Sequence, residues 1–303
     1  MRVISASQLT IAELLPPEVS PERCRSTARI EIAGIVAELR TDIPKLAHAF
    51  HRHYIDHAAI ERPDFIYYVA ETFDGYALWS EHAEVYRWTH GSLPIDALVF
   101  LCDAVVPSAF IRFDRTLVSM HAAALSCYGK SIALAGHSTA GKTTTLLACA
   151  QSGMGVYSDE RALMRNEILH PFLRRCTVRE DSAKRLLDDG VSTTLTEILR
   201  AQKPFSFAQS FGRQAIAAPA RLEAIFLLDG FGPLTSIERM DSAIAVSPIA
   251  RWFDADGGGL RRIALLRALL QRIPCYRLVL GSPSDAAGTI RQFCESTDAS
   301  AVL

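Results

Sequence analysis

Hydrophobic and polar positions along the chain change their rhythm partway through. Before about residue 110 the rhythm is weak. Residues 29–40 mix apolar and charged side chains without a firm period. Residues 65–69 and 75–79 read as short runs with the aromatic and β-branched content of half-buried strands. Residues 95–106 place apolar side chains at helical spacing and predict an amphipathic helix. This first stretch reads as a separate α+β module, residues 1–110.

Beyond about residue 115 the pattern sharpens. Residues 120–127 are small and apolar enough for a buried strand, Tyr128-Gly129-Lys130 reads as a turn, and 131–135 form a second strand. This hairpin runs straight into a glycine-rich loop. Residues 143–151 predict a helix closed by Ser152-Gly153, and 154–158 a strand ending at Asp159-Glu160. A hairpin is expected around Arg165-Asn166-Glu167, from 162–164 to 168–170. Helices follow at 181–187 and 195–202, a buried strand at 223–228, an amphipathic helix at 260–271 and a final strand at 275–280. Alternating strands and helices make the expected fold α/β for residues 111–303.

Composition narrows the classes. The 303 residues are 49% hydrophobic, enough for a sizeable core. A formal net charge of −1 offers no basic field for nucleic acid. No apolar stretch approaches the roughly 20 residues of a membrane span. Residues 1–16 lack a basic region followed by an apolar run, so no secretory signal is expected and the location expected is cytoplasmic. Seven cysteines without close spacing suggest neither a disulfide framework nor a zinc site. His48, His51, His53 and His57 invite a metal reading, because His53 and His57 share a face if the stretch is helical. The glutamate that a zinc hydrolase sets between such histidines is missing, so a solvated or partner-facing helix is the expectation.

The chemistry lies in Gly136-His137-Ser138-Thr139-Ala140-Gly141-Lys142-Thr143, which fits G-x-x-x-x-G-K-[ST]. Glycines let the backbone bend close to a phosphate, successive N–H groups form an anion nest, and the following helix adds its positive end. Lys142 is expected to reach the β- and γ-phosphates of a nucleoside triphosphate. Thr143 is expected to place its hydroxyl on Mg2+, and Thr144 extends the nucleotide-binding run into the helix.

Asp159 follows Lys142 by 17 residues and ends the next strand, where open α/β sheets hold ligands. Its carboxylate suits a metal ligand or a base for an incoming hydroxyl. Neighbouring Glu160 is a second candidate. As adjacent strand residues the two are expected to face opposite ways.

Four further places carry alternatives. On its residues alone His121 is equally a catalytic group or a core histidine bonded to backbone. Arg174, stiffened by Pro171, suits γ-phosphate oxygens or a peptide carboxylate, with Arg175 its rival. Residues 203–213, with Phe205, Phe207 and Phe211, form a lid or simply core. Gly257-Gly258-Gly259 reads as a flexible loop.

Taken together, His121-Ala122-Ala123-Ala124, the Tyr128-Gly129 turn, the loop from Gly136 to Thr144, Ser158-Asp159-Glu160 and His170-Pro171-Phe172-Leu173-Arg174 resemble the HPr kinase/phosphorylase family. The resemblance covers roughly residues 117–285. It implies a P-loop kinase fold related to phosphoenolpyruvate carboxykinase, with ATP and Mg2+ as cofactors and a histidine at the His121 position near the phosphates. Parent enzymes phosphorylate a serine on a small carrier protein and assemble into rings, which implies a homo-oligomer here. Relatives of this size encoded with lasso-peptide precursors resemble the pattern better, and they modify the precursor's C-terminal serine. The chain departs from the parent in having Asp-Glu where the parent has Asp-Asp, and in lacking a recognisable phosphorolysis signature. The function expected is therefore that of a serine kinase. A small-molecule kinase and a non-catalytic nucleotide-binding regulator are the alternatives.

Overall fold

The structure, a computed structural model, describes residues 2–4, 21–73, 75–80, 83–88, 93–190 and 195–296. Two units divide the chain, Met1–Arg115 and Thr116–Leu303.

The first unit holds strands β1 (Arg2–Ile4), β2 (Ser26–Ile32), β3 (Ile35–Thr41), β4 (Phe65–Thr72), β5 (Gly75–Ser80) and β6 (Ala83–Trp88), with helices α1 (Pro44–His53) and α2 (Ile95–Phe113). The strands form one sheet in the order β1-β6-β5-β4-β3-β2. Residues 29–40, which lack a readable period, are the β2–β3 hairpin, turned at Ala33 and Gly34 with positive φ at both. The period is hidden because Glu38 sits in the buried strand and is neutralised there by ion pairs to Arg29 and Arg40. Helix α2 buries Leu98, Cys102, Val105, Val106, Ala109 and Phe110 along one stripe and continues through Pro107 to residue 113.

The histidines of this unit go separate ways. His53 Nε2 stands 3.5 Å from Asp103 Oδ1, and the same carboxylate accepts a hydrogen bond from the buried Tyr54 hydroxyl. His57 lies in a separate turn with Nδ1 3.0 Å from the Glu31 carbonyl. Among the described residues, no three His, Cys, Asp or Glu side chains gather as a metal site.

The second unit runs β7 (Leu117–Met120), β8 (Ala122–Cys127), β9 (Lys130–Ala135), α3 (Lys142–Gln151), β10 (Gly155–Ser158), β11 (Ala162–Arg165), β12 (Ile168–His170), α4 (Glu180–Asp188), α5 (Thr196–Arg200) and α6 (Phe207–Phe211). It continues with β13 (Ala220–Phe231), β14 (Ser236–Met240), α7 (Ser242–Ala250), β15 (Phe253–Ala255), α8 (Gly259–Leu270), β16 (Cys275–Leu280) and α9 (Pro283–Glu295). The unit is α/β with a mixed sheet. Strand β13 pairs parallel with β9 on one side and β16 on the other, whereas β8, β10 and β14 pair antiparallel. The first residues of β13 pair with β12, which leads on to β11, β7 and β15.

The sheet is covered on both faces, which is why its central strands read as continuous apolar runs. Leu134, Phe226 and Leu278 pack with Leu146 and Leu147 of α3 and Ile290 and Phe293 of α9. Ala133, Ile225 and Cys275 pack on the other face with Ala245 and Ile249 of α7 and Leu266 and Leu269 of α8. Phe226 meets Phe293 edge-on at 5.0 Å between ring centres. Burying such a side chain contributes roughly 1.5–3 kcal/mol. Phe205 and Phe207 belong to this core, with their rings 5.6 Å apart. All seven cysteines are buried and unbridged.

Two expectations change in detail. The run 120–127 is not one strand. It breaks at His121, whose backbone N–H is drawn to the Trp252 carbonyl at 2.7 Å. Gly258 caps α8 rather than floating in a free loop. Among the described residues, no helix is long and apolar enough to cross a membrane.

Candidate functional site

Strand register assembles the site. Ala122, the first residue of β8, pairs with Ala135, the last of β9, and Ala124 pairs with Ser158, the last of β10. His121, Gly136 and Asp159 therefore leave the sheet at one edge. Strands β13 and β16 end at that same edge, since Leu227 pairs with Ala135 and Phe231 with Leu280.

The loop between β9 and α3 is shaped by close packing. Gly141 has φ of +98°, and a Cβ there would stand 2.7 Å from Leu280 Cδ1. A Cβ on Gly136 would meet Ala140 Cβ at 3.0 Å and Leu228 Cβ at 3.2 Å. Only glycine fits these positions without displacement. The loop folds around Lys142, whose Nζ donates to the carbonyls of Gly136 at 2.7 Å and His137 at 3.0 Å. The side chain is buried, and burial together with the Arg179 charge pushes its pKa down to about 8. Arg179 also donates to Ser138 Oγ at 3.4 Å. Nothing in the sequence marks Arg179 as part of the site. It arrives from the residue before α4, 37 positions beyond Lys142.

The acidic pair departs from the expected geometry. Strand β10 stops at Ser158, and the buried Ser158 Oγ accepts N–H groups from Glu160 at 3.2 Å and Arg161 at 2.7 Å. Asp159 and Glu160 thus sit in a side-chain-stabilised turn, where the alternation of a strand no longer applies. Instead of facing apart they share one cation. Arg174 forms an ion pair with Glu160 and places Nε 3.7 Å from Asp159 Oδ1. Arg174 gets there because the Phe172 N–H donates to the Tyr157 carbonyl at 2.7 Å and the flanking Phe172 and Leu173 are buried. Its rival Arg175 points elsewhere and donates to the Pro204 carbonyl at 2.7 Å.

His121 Nδ1 stands 3.7 Å from Glu160 Oε1. Burial pushes its pKa down to about 4, helped by the charges of Lys142, Arg161 and Arg174, so the ring is neutral at pH 7. Cys176 is buried against Asp159. Burial first, then that carboxylate, raises its thiol far above the usual range, so it remains a neutral hydrogen-bond donor.

Chemically, the edge offers a deep lysine among backbone amides, two carboxylates, a guanidinium and a neutral imidazole. For Mg2+ the protein offers the Thr143 hydroxyl on the first turn of α3 and the Asp159 carboxylate. Few side-chain ligands fit this ion, which takes its remaining positions from water and phosphate oxygens.

In sequence the chain matches no family model and no curated protein. Among solved structures it is similar to the HPr(Ser) kinase/phosphatase from Coxiella burnetii, at 13% identity and a TM-score of 0.30, over 57% of this chain and 86% of that one.

Proposed function

We propose that the chain is a Mg2+-dependent ATP kinase that transfers the γ-phosphoryl group to a serine hydroxyl. One observation carries the reading: a buried lysine wrapped in a glycine loop meets a carboxylate pair and an arginine at a single sheet edge. Phosphoryl transfer needs little else, since positioning and charge stabilisation supply most of the acceleration. The loop amides and Lys142 hold the phosphates. Thr143 and Asp159 would hold the ion, which neutralises phosphate charge when bound. Asp159 accepts the serine proton, Arg174 offsets charge on the moving phosphoryl group, and neutral His121 contributes a hydrogen bond rather than a charge. Glu160 keeps Arg174 and His121 in register with Asp159.

The resemblance of residues 117–285 to the kinases encoded with lasso-peptide precursors extends the proposal to the acceptor, the C-terminal serine of such a peptide. The test is incubation with MgATP and peptides ending in serine, beside free serine, read by mass spectrometry for an added phosphate. Transfer is expected to a peptide and to be lost in Lys142→Ala. Undiminished transfer by that variant would sink the scheme.

A further inference from the structure

On the side of the loop away from the acidic pair, β13 ends in an unusual way. Its pairing with β16 is interrupted by a bulge between Leu228 and Phe231, with Gly230 at φ of +96°. The extra residue sets Phe231 opposite Leu280, on the same face as Phe226 and Leu228 but past the end of the core. Phe226, five residues earlier on the same strand, is fully buried, whereas Phe231 is 52% exposed and Leu234 beyond it 71% exposed. The segment is nevertheless firmly held. Gly232 N–H donates to the Leu280 carbonyl at 2.8 Å, Thr235 N–H to Asp285 Oδ2 at 2.6 Å, and Gly281 N–H to Thr235 Oγ1 at 2.9 Å.

Two features tie the exposed ring to the phosphate loop. A Cβ on Gly141 would lie 3.5 Å from Phe231 Cε1, so the ring edge borders the residue before Lys142. The Arg185 guanidinium lies 4.7 Å from the Phe231 ring centre. Arg185 rides on α4, the helix preceded by Arg179, which reaches Ser138 of the same loop. The short helix and the residue that caps it therefore reach the aromatic ring and the phosphate loop.

Resting on the proposed nucleotide reading, we propose that Phe231 and Arg185 form the platform on which the nucleobase stacks. A nucleoside triphosphate is a linear ligand. With its γ-phosphate at the acidic pair beyond β8 and its chain along the loop after β9, its base emerges beside β13. An aromatic face and a guanidinium plane are the surfaces on which a base stacks, and neither depends on base-specific hydrogen bonds. The platform thus favours a nucleotide over a bare polyphosphate without selecting strongly among purines.

The test compares MgATP with magnesium tripolyphosphate by titration calorimetry on the full chain. The wild type is expected to bind ATP more tightly than tripolyphosphate. Phe231→Ala is expected to weaken ATP about tenfold, the scale of one stacked base, and to leave tripolyphosphate unchanged. Phe231→Trp is expected to keep ATP affinity. Equal weakening of both ligands by Phe231→Ala overturns the platform and makes Phe231 a support of the loop. Unchanged ATP binding overturns it as well, while leaving the phosphate loop in place. A wild type that binds neither ligand removes the nucleotide reading, and the platform with it.

Discussion

Lys142 shows how burial turns a common side chain into a responsive one. Its ammonium is held among carbonyls inside a closed loop, and its pKa falls from 10.5 to about 8. A bound polyphosphate favours the charged form and raises that pKa again. Binding of MgATP near pH 8 is therefore expected to take up protons, and affinity to decline as pH rises above about 8. Titration calorimetry in two buffers of different ionisation enthalpy measures this uptake, which Lys142→Met is expected to abolish. In the ligand-free protein the sign is opposite for stability. Between about 8 and 10.5 the unfolded chain holds the Lys142 proton more firmly, so this group makes stability rise with pH across that window. His121 acts in the same sense lower down. With its pKa moved from 6.5 to about 4, its contribution is lost as pH falls through that interval.

Elements place these residues where single side chains cannot. The glycine loop works because β9, β13 and β16 end together, with Leu280 filling the space beside Gly141. Gly141→Ala meets two obstacles at once, a left-handed φ costing about 1–2 kcal/mol and a Cβ pressed into Leu280. A lower thermal midpoint and weakened MgATP binding are expected. Adding Leu280→Ala removes the clash but not the left-handed backbone, so binding is expected to recover in part while the midpoint stays low. Full recovery would mean that φ at Gly141 is immaterial. Helix α9 teaches a different lesson. Its Ser282 cap and Pro283 at the first turn are standard start signals carried by neighbouring residues. Helix α7 likewise begins at a capping Asp241.

At the scale of the whole molecule, each unit has its own sheet. The mixed sheet of Thr116–Leu303 is covered on both faces by helices of that same unit. An independent core is what a domain needs to fold alone. Residues 116–303 expressed by themselves are expected to melt cooperatively, with a midpoint that rises as MgATP is added. A fragment that stays unfolded, or whose midpoint ignores MgATP, would tie folding or binding to residues 1–115.

Local physics wrote the most legible parts into the sequence. The loop from Gly136 to Thr144 is set by glycine spacing and by the Gly-Lys-Thr run that opens the helix, both properties of neighbouring residues. The strand cores 132–135 and 224–228 stand out because helices cover both faces of the sheet, so each reads as an unbroken apolar run. Where a buried charge is neutralised across a hairpin, as at Glu38 by Arg29 and Arg40, the apolar period of β2 and β3 is blurred. The relation between Asp159 and Glu160 departs from strand alternation because it depends on where β10 stops, and a serine hydroxyl settles that. The meeting of His121, Glu160 and Arg174, the reach of Arg179 to Ser138 and the exposed place of Phe231 opposite Leu280 were decided by tertiary structure alone. They depend on register between strands far apart in the chain, and register is fixed only when the whole sheet closes on its core.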